Sequence, residues 1–484
     1  MKLSRLLQGI QTESPWQDCE ITKVTCDNRQ VAAGALFVCI KGTKFDGHSV
    51  AGKALEAGAA AVVAERDLGL PHQILVPDTR EAYAVLCGNY CGNPARSLKL
   101  IGITGTNGKT TITYLIKHVL EAAGKKVGLI GTIHNEIGGM DIPATHTTPD
   151  PAELHVLFSR MVAAGCEYVV MEVSSHALDQ HRLGGCHFSV GVFTNLTQDH
   201  LDYHITMENY YQAKKRLFSM CDTAVINLDD EYGRRLAGEV GCKTLTFSTE
   251  SDSADFTARN IVPSATGSRF ALVGDSLIGR VSFCMPGRFS VSNAMAAGVA
   301  CLAAGVAFED VVSGLCTCTG VVGRTEVLPT GTEFTVIRDY AHSPDGLEKV
   351  ISTVKEFASG RVITLFGCAG NRDRTKRPKM AEIVSRLSDF VILTSDNPRD
   401  EDPLQIIDDA KPGLLEHPTP YQILPDRYEA IEWALDFAQP NDILLLCGKG
   451  HEDYQVLGFG TIYFDEKEIV LRLLKEKRRP DDTD

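Results

Sequence analysis

The sequence predicts an α/β protein of three domains, and three observations carry that expectation. Short, wholly apolar runs alternate with helical patterns along most of the 484 residues, the signature of strands covered on both faces by crossover helices. That length suggests about three domains at a typical ~150 residues each. Several of the apolar runs end in polar or glycine-rich residues, where open α/β sheets place ligands.

Residues 1–98 are expected to form a smaller N-terminal α/β domain, with strands at 36–40, 60–64 and 73–76. A breaker-rich stretch at 91–97 marks its linker. Residues 99–329 read as a central domain on a mostly parallel sheet, from apolar runs at 126–130, 168–171, 190–193 and 224–226. Between 244 and 283 the pattern shifts towards alternation, which suggests a small antiparallel addition. Residues 330–484 carry strands at 334–337, 361–366, 390–393 and 442–446 and are expected to be Rossmann-like. The run Lys475-Glu-Lys-Arg-Arg479 reads as a solvated helix end before an acidic tail.

A formal charge of −14 argues against nucleic acid as a partner, because phosphate-backbone binding needs a basic surface. The 15 cysteines are scattered and odd in number, without CxxC pairs, and Cys316 with Cys318 is too isolated to suggest zinc. They are expected to be reduced, mostly buried thiols in a reducing cytoplasm. The first sixteen residues lack the apolar core of a signal peptide, and no run approaches the ~18 apolar residues of a membrane span. The chain is therefore expected to be cytoplasmic, not membrane-embedded, and monomeric.

The strongest chemical signal is Gly105-Thr106-Asn107-Gly108-Lys109-Thr110-Thr111. An apolar run precedes it, and a helical stripe of Ile112, Leu115, Ile116, Val119 and Leu120 follows. Glycines let backbone N–H groups close around phosphate, and the helix N-terminus adds partial positive charge. Lys109 is placed to neutralise phosphate, and Thr110 or Thr111 to hold Mg²⁺. Only Thr106 and Asn107 separate the two glycines, so this P-loop-type turn is shorter than the usual pattern. It is read as an ATP-binding loop.

Glu172 follows the apolar run at 168–171, where a carboxylate near a phosphate loop is a natural Mg²⁺ ligand; the competing readings are a solvated strand-end residue and a helix N-cap neighbour. Ser174 with His176 or His181 would suggest a hydrolase. Ser174 lacks a Gly-x-Ser-x-Gly elbow, so substrate binding by the cluster through Gln180 and Arg182 is preferred. His200 is a candidate ligand for a second Mg²⁺. Because histidine rarely binds magnesium, the residues alone favour a structural or substrate-contacting role. Lys214 alone reads as a solvated helix lysine. Asp396-Asn397-Pro398-Arg399 alone is a proline turn with an exposed arginine, and Gly448-Lys-Gly-His-Glu452 can pass for a second phosphate loop.

Together these pieces resemble the Mur ligases, the ATP-dependent amide-bond-forming enzymes of peptidoglycan precursor synthesis, over nearly the whole chain. The Gly105–Thr111 loop is similar to the family's ATP loop. Glu172-Val-Ser-Ser-His176, Thr194-Asn195-Leu and Asp199-His200-Leu-Asp202 resemble its central signatures. Pro286-Gly-Arg-Phe-Ser-Val-Ser-Asn293 resembles its nucleotide segment, with Asn293 near the adenine. Gly323-Arg324-Thr-Glu326 and Asp339-Tyr-Ala-His342-Ser-Pro-Asp345 resemble the junction into the third domain. The resemblance implies Arg324 at the nucleotide. It also implies that Glu172 and His200 bind magnesium, with the Thr110 hydroxyl and a carbamylated Lys214 supplying further oxygens.

Within the family the MurE type, which adds the third peptide residue, is the nearest match. Asp27-Asn28-Arg29, Gly34-Ala-Leu-Phe37 and Asp46-Gly47 resemble its UDP-binding first domain. Asn28, Thr147, Thr148, Ser174, Gln180 and Arg182 then stand where the UDP-MurNAc-dipeptide is held. Three positions depart from the family pattern: Asn28 replaces serine, His146 replaces asparagine and Val322 replaces proline.

The Asp396–Arg399 motif marks the family members that use meso-diaminopimelate. A second carboxylate distinguishes this amino acid from lysine. Arg399 can grip it with two parallel hydrogen bonds, while Asp396 and Asn397 offer acceptors to the ammonium. Arg372, Pro398, Gly448 and Glu452 complete the implied pocket. The reaction implied is ATP-driven activation of the D-Glu γ-carboxylate of UDP-MurNAc-L-Ala-D-Glu, followed by attack of the diaminopimelate amine. Closure of the third domain on the central one is expected to bring the reactants together. The alternatives are the same ligase adding L-lysine, a folylpolyglutamate-synthetase-like ligase, and a non-enzymatic nucleotide switch.

Overall fold

A computed structural model of the chain describes residues 1–42 and 45–477. It contains two compact units, Met1–Thr246 with Val299–Val306, and Phe247–Gly298 with Ala307–Asp484.

The first unit begins with a parallel sheet in sequential order: β1 (Lys23–Thr25), β2 (Ala35–Val38), β3 (Ala61–Ala64) and β4 (Gln73–Leu75). Both faces are covered, which is why the strands read as continuous apolar runs. Leu36, Val38 and Val63 pack with Leu6 and with Leu86 of the helix Thr79–Tyr90, while Phe37 and Val62 face Ala51 and Ala54. The Asp78 side chain caps that helix, accepting from the N–H groups of Arg80 and Glu81.

The larger sheet of this unit comprises β5 (Lys99–Thr104), β6 (Val127–Ile130), β7 (His134–Ile137), β8 (Met140–Pro143), β9 (Tyr168–Glu172), β10 (Phe188–Phe193) and β11 (Cys221–Asn227). Their order is β11-β10-β5-β9-β6-β7-β8. The five long-expected strands are parallel, so their carboxyl ends share one edge. The antiparallel pair β7–β8 is an addition that the sequence reading missed, because its four-residue strands mix polar and apolar residues without a continuous apolar run. On helix Lys109–Ala122 the stripe Ile112, Leu115, Ile116, Val119 and Leu120 is buried as predicted. Each such side chain contributes about 1.5–3 kcal/mol on leaving water, which anchors the loop at the helix start.

The strand β12 (Lys243–Ser248) carries the boundary between the units. In the second unit its last residues pair in parallel with β13 (Phe256–Ser264), and β14 (Gly267–Gly274) and β15 (Leu277–Phe283) continue as an antiparallel meander. The expected addition is therefore antiparallel from β13 onwards and parallel where it starts. Gly279, Val281 and Phe283 point inwards along β15. Helix Phe308–Thr317 lies against it so closely that a Cβ on Gly279 would strike Val312.

The last large sheet holds β16 (Glu326–Val327), β17 (Thr335–Asp339), β18 (Val362–Cys368), β19 (Phe390–Ser395), β20 (Tyr421–Ile423) and β21 (Ile443–Cys447), in the order β16-β17-β21-β18-β19-β20. All pairs but β16–β17 are parallel, and apolar side chains fill both faces. A hairpin of β22 (Tyr454–Leu457) and β23 (Gly460–Tyr463) follows. Helix Glu466–Lys477 ends in exposed Lys475, Glu476 and Lys477; Arg478, Arg479 and the acidic tail lie outside the described residues. All fifteen cysteines are free thiols, most of them buried. Among the described residues no helix is long and apolar enough to cross a membrane.

Candidate active site

The strands β10, β5 and β9 lie side by side, so their ends bring Thr194-Asn195, the Gly105–Thr111 loop and Glu172 together. Gly105 and Gly108 take φ of +147° and +86°, open to glycine at little cost. A Cβ on Gly105 would also strike Thr194 Oγ1. The turn is folded against Thr194 and Asn195. The Asn107 N–H donates to Asn195 Oδ1 at 3.0 Å, and the Asn107 carbonyl accepts from Thr194 Oγ1 at 2.7 Å. The Thr106 N–H donates to the Asn195 carbonyl at 2.9 Å, and its hydroxyl meets Tyr210 Oη at 3.2 Å. Lys109 Nζ curls back over the turn, donating to the carbonyls of Gly105 at 2.9 Å and Thr106 at 2.8 Å.

Glu172 is buried, which rules out the solvated strand-end reading. Its carboxylate accepts from Thr110 Oγ1 at 3.0 Å, from the Thr132 N–H at 2.8 Å and from Thr132 Oγ1 at 3.0 Å. Glycine precedes Thr132 for a steric reason: a Cβ on Gly131 would lie 2.6 Å from Glu172 Oε1. Thr111, beside Thr110, is also buried.

Lys214 is not a solvated helix lysine. It is 1% exposed, donates to the Gly105 carbonyl at 2.7 Å and lies 4.6 Å from the Tyr210 ring centre. Two amines, Lys109 and Lys214, thus converge on one carbonyl oxygen. Burial, reinforced by the Lys109 charge, drives the Lys214 pKa well below the ordinary lysine range. His200 opens helix Leu201–His204 at φ +53° and meets the His176 ring edge-on at 4.9 Å. Partial burial pushes its pKa down to about 4, which keeps the imidazole neutral. Among the described residues no hydrogen bond joins His200 to Glu172 or Lys214.

A second cluster grows from the same edge. Thr147 Oγ1 meets Thr132 Oγ1 at 3.0 Å. Thr148 Oγ1 donates to the Glu172 carbonyl at 2.8 Å and accepts from the Ser174 N–H at 3.0 Å. Ser174 caps the following short helix, which removes any trace of a nucleophile elbow. Arg182 donates to the Thr148 carbonyl at 2.9 Å and to Gln180 Oε1 at 2.9 Å. Five of the six residues expected at the UDP-linked substrate therefore form one network. Asn28 does not join it: it is exposed at the start of the Asn28–Gln30 turn, and among the described residues no hydrogen bond ties it to that network. His146 is exposed beside Thr145.

In the second unit, β18, β19 and β21 are neighbours, so Gly370–Asp373, Asp396–Arg399 and Gly448–Glu452 emerge at one edge. Asn397 Nδ2 donates to Glu452 Oε2 at 2.9 Å, and the Val456 N–H donates to Asn397 Oδ1 at 2.9 Å. Lys449 Nζ also approaches Asn397 Oδ1, at 3.3 Å. Lys449 is fully buried, with Nζ 2.8 Å from Glu452 Oε2 and 4.0 Å from Asp396 Oδ1. Burial raises the Glu452 pKa, but the Lys449 charge and the hydrogen bonds from Lys449 and Asn397 outweigh it and hold the carboxyl below its ordinary value. Arg399 adopts φ +55°, donates from Nη1 to the Gly370 carbonyl at 2.7 Å and from its N–H to the Val456 carbonyl at 3.0 Å. Pro398 packs its carbonyl where a Cβ on Gly370 would be, and Arg372 stands exposed beyond Asn371. Gly448 is needed too, since a Cβ there would lie 2.9 Å from Asp396 Oδ2. The loop thus holds a buried lysine between two carboxylates.

Asn293, buried on helix Arg288–Ala303, and Arg324 also belong to the second unit. The Arg324 guanidinium stacks 4.8 Å over the Tyr340 ring. Asp339 binds both sides of that junction, accepting from the N–H groups of Thr325 at 2.6 Å and Ala341 at 2.8 Å.

Sequence reasoning missed Thr132, Lys449, Arg377 and Arg427. Arg377 is buried and bridges Glu401 at 2.9 Å and Asp409 at 2.7 Å, while Glu401 also receives the Asn371 N–H. A strand-end Gly-Thr pair at 131–132 was the one local signal that could have revealed Thr132.

Family models match three stretches: "Mur ligase family, catalytic domain" at residues 20–86, "Mur ligase middle domain" at 103–301, and "Mur ligase, glutamate ligase domain" at 323–450. UDP-N-acetylmuramoyl-L-alanyl-D-glutamate–2,6-diaminopimelate ligase 1 of Clostridium acetobutylicum is 46% identical, covering 98% of this chain and 100% of its own. The Caldanaerobacter subterraneus subsp. tengcongensis ligase of the same name is 44% identical, covering 99% and 100%. A solved structure of a UDP-N-acetylmuramoyl-L-alanyl-D-glutamate–2,6-diaminopimelate ligase superposes with a TM-score of 0.74 at 33% identity, over 99% of this chain and 100% of that one. End-to-end identity at this level, with family models matching all three stretches, makes this chain a member of the Mur ligase family.

Proposed function

We propose that the chain joins meso-diaminopimelate to the D-Glu γ-carboxylate of UDP-MurNAc-L-Ala-D-Glu, converting ATP to ADP and phosphate. The observation that carries this reading is the acceptor edge of the second unit, where Arg399 leaves the same strand ends as the buried Asp396 and the partly buried Glu452. A cation next to carboxylates suits an acceptor end that bears both a carboxylate and an ammonium. Lysine would leave Arg399 unmatched, and sites built on such polar partners reject analogues lacking them by roughly 10⁴-fold.

The γ-carboxylate attacks the ATP γ-phosphorus in line and ADP leaves, giving an acyl phosphate. The diaminopimelate amine then attacks the acyl carbon and phosphate leaves. Thr147, Thr148, Ser174, Gln180 and Arg182 hold and orient the UDP-linked dipeptide, with Asn28 assigned to its UDP end. The Gly105–Thr111 loop cradles the phosphates, Lys109 offsets their charge, and Asn293 and Arg324 bind the rest of the nucleotide. Arg372, Asp396, Asn397, Pro398, Arg399, Gly448 and Glu452 form the acceptor pocket, Asn397 acting through Glu452. The protein thus works mainly by positioning and charge compensation.

The donor set at Glu172 suits Mg²⁺, which prefers oxygen ligands. Glu172 and the Thr110 hydroxyl would hold it, with His200 and a carbamylated Lys214 completing the set. Mg²⁺ bound there supplies charge neutralisation at the phosphates. Carbamylation needs an unprotonated amine to attack CO₂, and the buried, cation-facing Lys214 meets that need. We also assign the chain to the cytoplasm, as a monomer whose domains divide at 98/99 and 329/330.

The test is ADP release. It should depend on both UDP-MurNAc-L-Ala-D-Glu and an amino acid, and meso-diaminopimelate should be preferred to L-lysine. Release with neither substrate would indicate a nucleotide switch, and preference for lysine would overturn the reading of Arg399. A folate-directed ligase is disfavoured by the complete N-terminal sheet with its Asn28–Gln30 turn and by the end-to-end match.

A further inference from the structure

Two cysteines lie against the segments assigned to the nucleotide, and the ligase chemistry uses neither. Cys284 directly follows β15 and precedes Pro286 by two residues; Cys318 directly follows helix Phe308–Thr317. The helix end lies along the strand in register. The Ser282 N–H donates to Cys316 Sγ at 3.3 Å, and Cys316 Sγ donates to the Arg280 carbonyl at 3.8 Å. Two residues further along both segments, the Cys284 and Cys318 thiols flank the same residue, Gly320. Gly320 closes the corner. Its N–H donates to Cys318 Sγ at 3.5 Å, and a Cβ there would lie 3.9 Å from Cys284 Sγ. Cys318 is buried and Cys284 only half-buried, so the pair faces solvent from one side.

The chemistry of the two sulfurs is unequal. The neighbouring Cys284 thiol, helped by the N–H groups of Gly320 and Thr319, favours the Cys318 thiolate and holds that thiol below its ordinary value. The same contact raises Cys284. One sulfur is thus favoured as the thiolate with a second thiol at the same corner, the arrangement that favours reversible oxidation. The other close pair, Cys221 and Cys242 with sulfurs 3.9 Å apart, contrasts with it: burial pushes Cys221 far up.

We propose that Cys284 and Cys318 are a modification site, a thiol pair that hydroperoxides close reversibly into a disulfide, with a loss of ATP affinity. The Cys318 thiolate attacks hydrogen peroxide; an S–O bond forms, the O–O bond breaks and hydroxide leaves, taking up a proton. Cys284 then attacks the sulfenic sulfur; an S–S bond forms, the S–O bond breaks and water leaves. Two thiols are oxidised and one peroxide is reduced to two waters. A disulfide holds its sulfurs about 2 Å apart, so closure draws Cys284 and Cys318 together. The chain segments running on to Asn293 and to Arg324 must shift with them. The effect on ATP rests on the nucleotide assignment of those two residues; the cross-link itself does not.

The experiment treats reduced full-length protein with graded hydrogen peroxide, blocks free thiols with N-ethylmaleimide and maps linked peptides by mass spectrometry. KM for ATP and for meso-diaminopimelate is measured before oxidation, after it and after dithiothreitol. A Cys284–Cys318 peptide is expected to appear in step with a rise of about fivefold or more in KM for ATP, reversed by dithiothreitol. Cys318→Ser and Cys284→Ser should keep basal activity and lose the peroxide response. Absence of that peptide, a link confined to Cys221–Cys242, or inhibition undiminished in both serine variants overturns the proposal. A reversible link with an unchanged KM for ATP overturns the proposed effect. Reduced Asn293→Ala tests the nucleotide assignment separately: an unchanged KM for ATP there would remove that assignment and leave the cross-link standing.

Discussion

Arg427 and Glu466 form an ion pair 2.8 Å apart in which both side chains are fully buried. The guanidinium also donates to the Ser395 carbonyl at 3.0 Å and to the Cys447 carbonyl at 2.7 Å. Those carbonyls end β19 and β21, immediately before Asp396 and Gly448. One planar cation therefore fastens the two strand ends from which the acceptor loops depart, a task that suits arginine's fork of donors and not lysine's point charge.

Glu466→Gln should expose the value of that pair. It keeps the shape but leaves a buried cation with no adjacent counter-charge, and breaking such pairs costs about 3–5 kcal/mol. The urea midpoint should fall accordingly, with KM for diaminopimelate rising more than KM for ATP. An unchanged midpoint would mean that the guanidinium is satisfied by the carbonyls alone.

Thr132→Val tests the carboxylate's support. The hydroxyl bonds to Glu172 and Thr147 vanish while the Thr132 N–H to Glu172 remains. Loss of such a supporting contact typically costs 10–100-fold in activity at metal-dependent sites, so kcat should fall by about that factor. KM for the acceptor should hold, and stability should change by no more than about 1 kcal/mol. A wild-type kcat would remove Thr132 from the site.

The contrast between Lys109 and Lys214 explains how far the sequence could be read. Lys109 sits in a contiguous Gly/Lys/Thr turn whose spacing states its chemistry, and β5, β9 and β10 were visible as apolar runs. Lys214 lies 109 residues from the carbonyl it bonds, and its helix, taken alone, is indistinguishable from a solvated one. Arg427, 39 residues from Glu466, and Thr132, 40 residues from Glu172, were hidden for the same reason. Pairings set by strand order leave no local trace. The β7–β8 hairpin escaped because its strands lack the apolar periodicity by which a strand is recognised.

His155 makes stability depend on pH. It is 2% exposed on helix Pro151–Ala163, beside the Phe158 ring and close to Gly88 of helix Thr79–Tyr90. Burial lowers its pKa from 6.5 to about 4. Above pH 6.5 it is neutral in folded and unfolded chains alike, and its contribution is complete. Below that, the unfolded chain takes up a proton that the folded chain refuses, so stability is lost until about pH 4, by about 3 kcal/mol in all. In urea unfolding at pH 7 and pH 5, the wild type should lose about 2 kcal/mol more than His155→Leu. Equal losses would show that His155 titrates normally.

Arg399 is the sharpest test of acceptor choice, because one of its nitrogens already serves the protein. Nη1 holds the Gly370 carbonyl at 2.7 Å, so removing the side chain disturbs both the loop and any carboxylate contact. Arg399→Lys separates the two: an ammonium can still reach the carbonyl but cannot form two parallel bonds with a carboxylate. With the loop retained, kcat/KM for meso-diaminopimelate should fall by roughly 10²–10³-fold, mostly through KM, a partial loss of the roughly 10⁴-fold discrimination such sites reach. KM values for ATP and the UDP-linked dipeptide should not move, because Arg399 touches neither in the proposed assignment. Weak L-lysine turnover should persist, so that the ratio between acceptors collapses from the diaminopimelate side. If Arg399→Lys kept the full preference, recognition of the distal carboxylate would have to pass to Arg372, the exposed arginine beyond Asn371, and Arg372→Ala would then carry the loss.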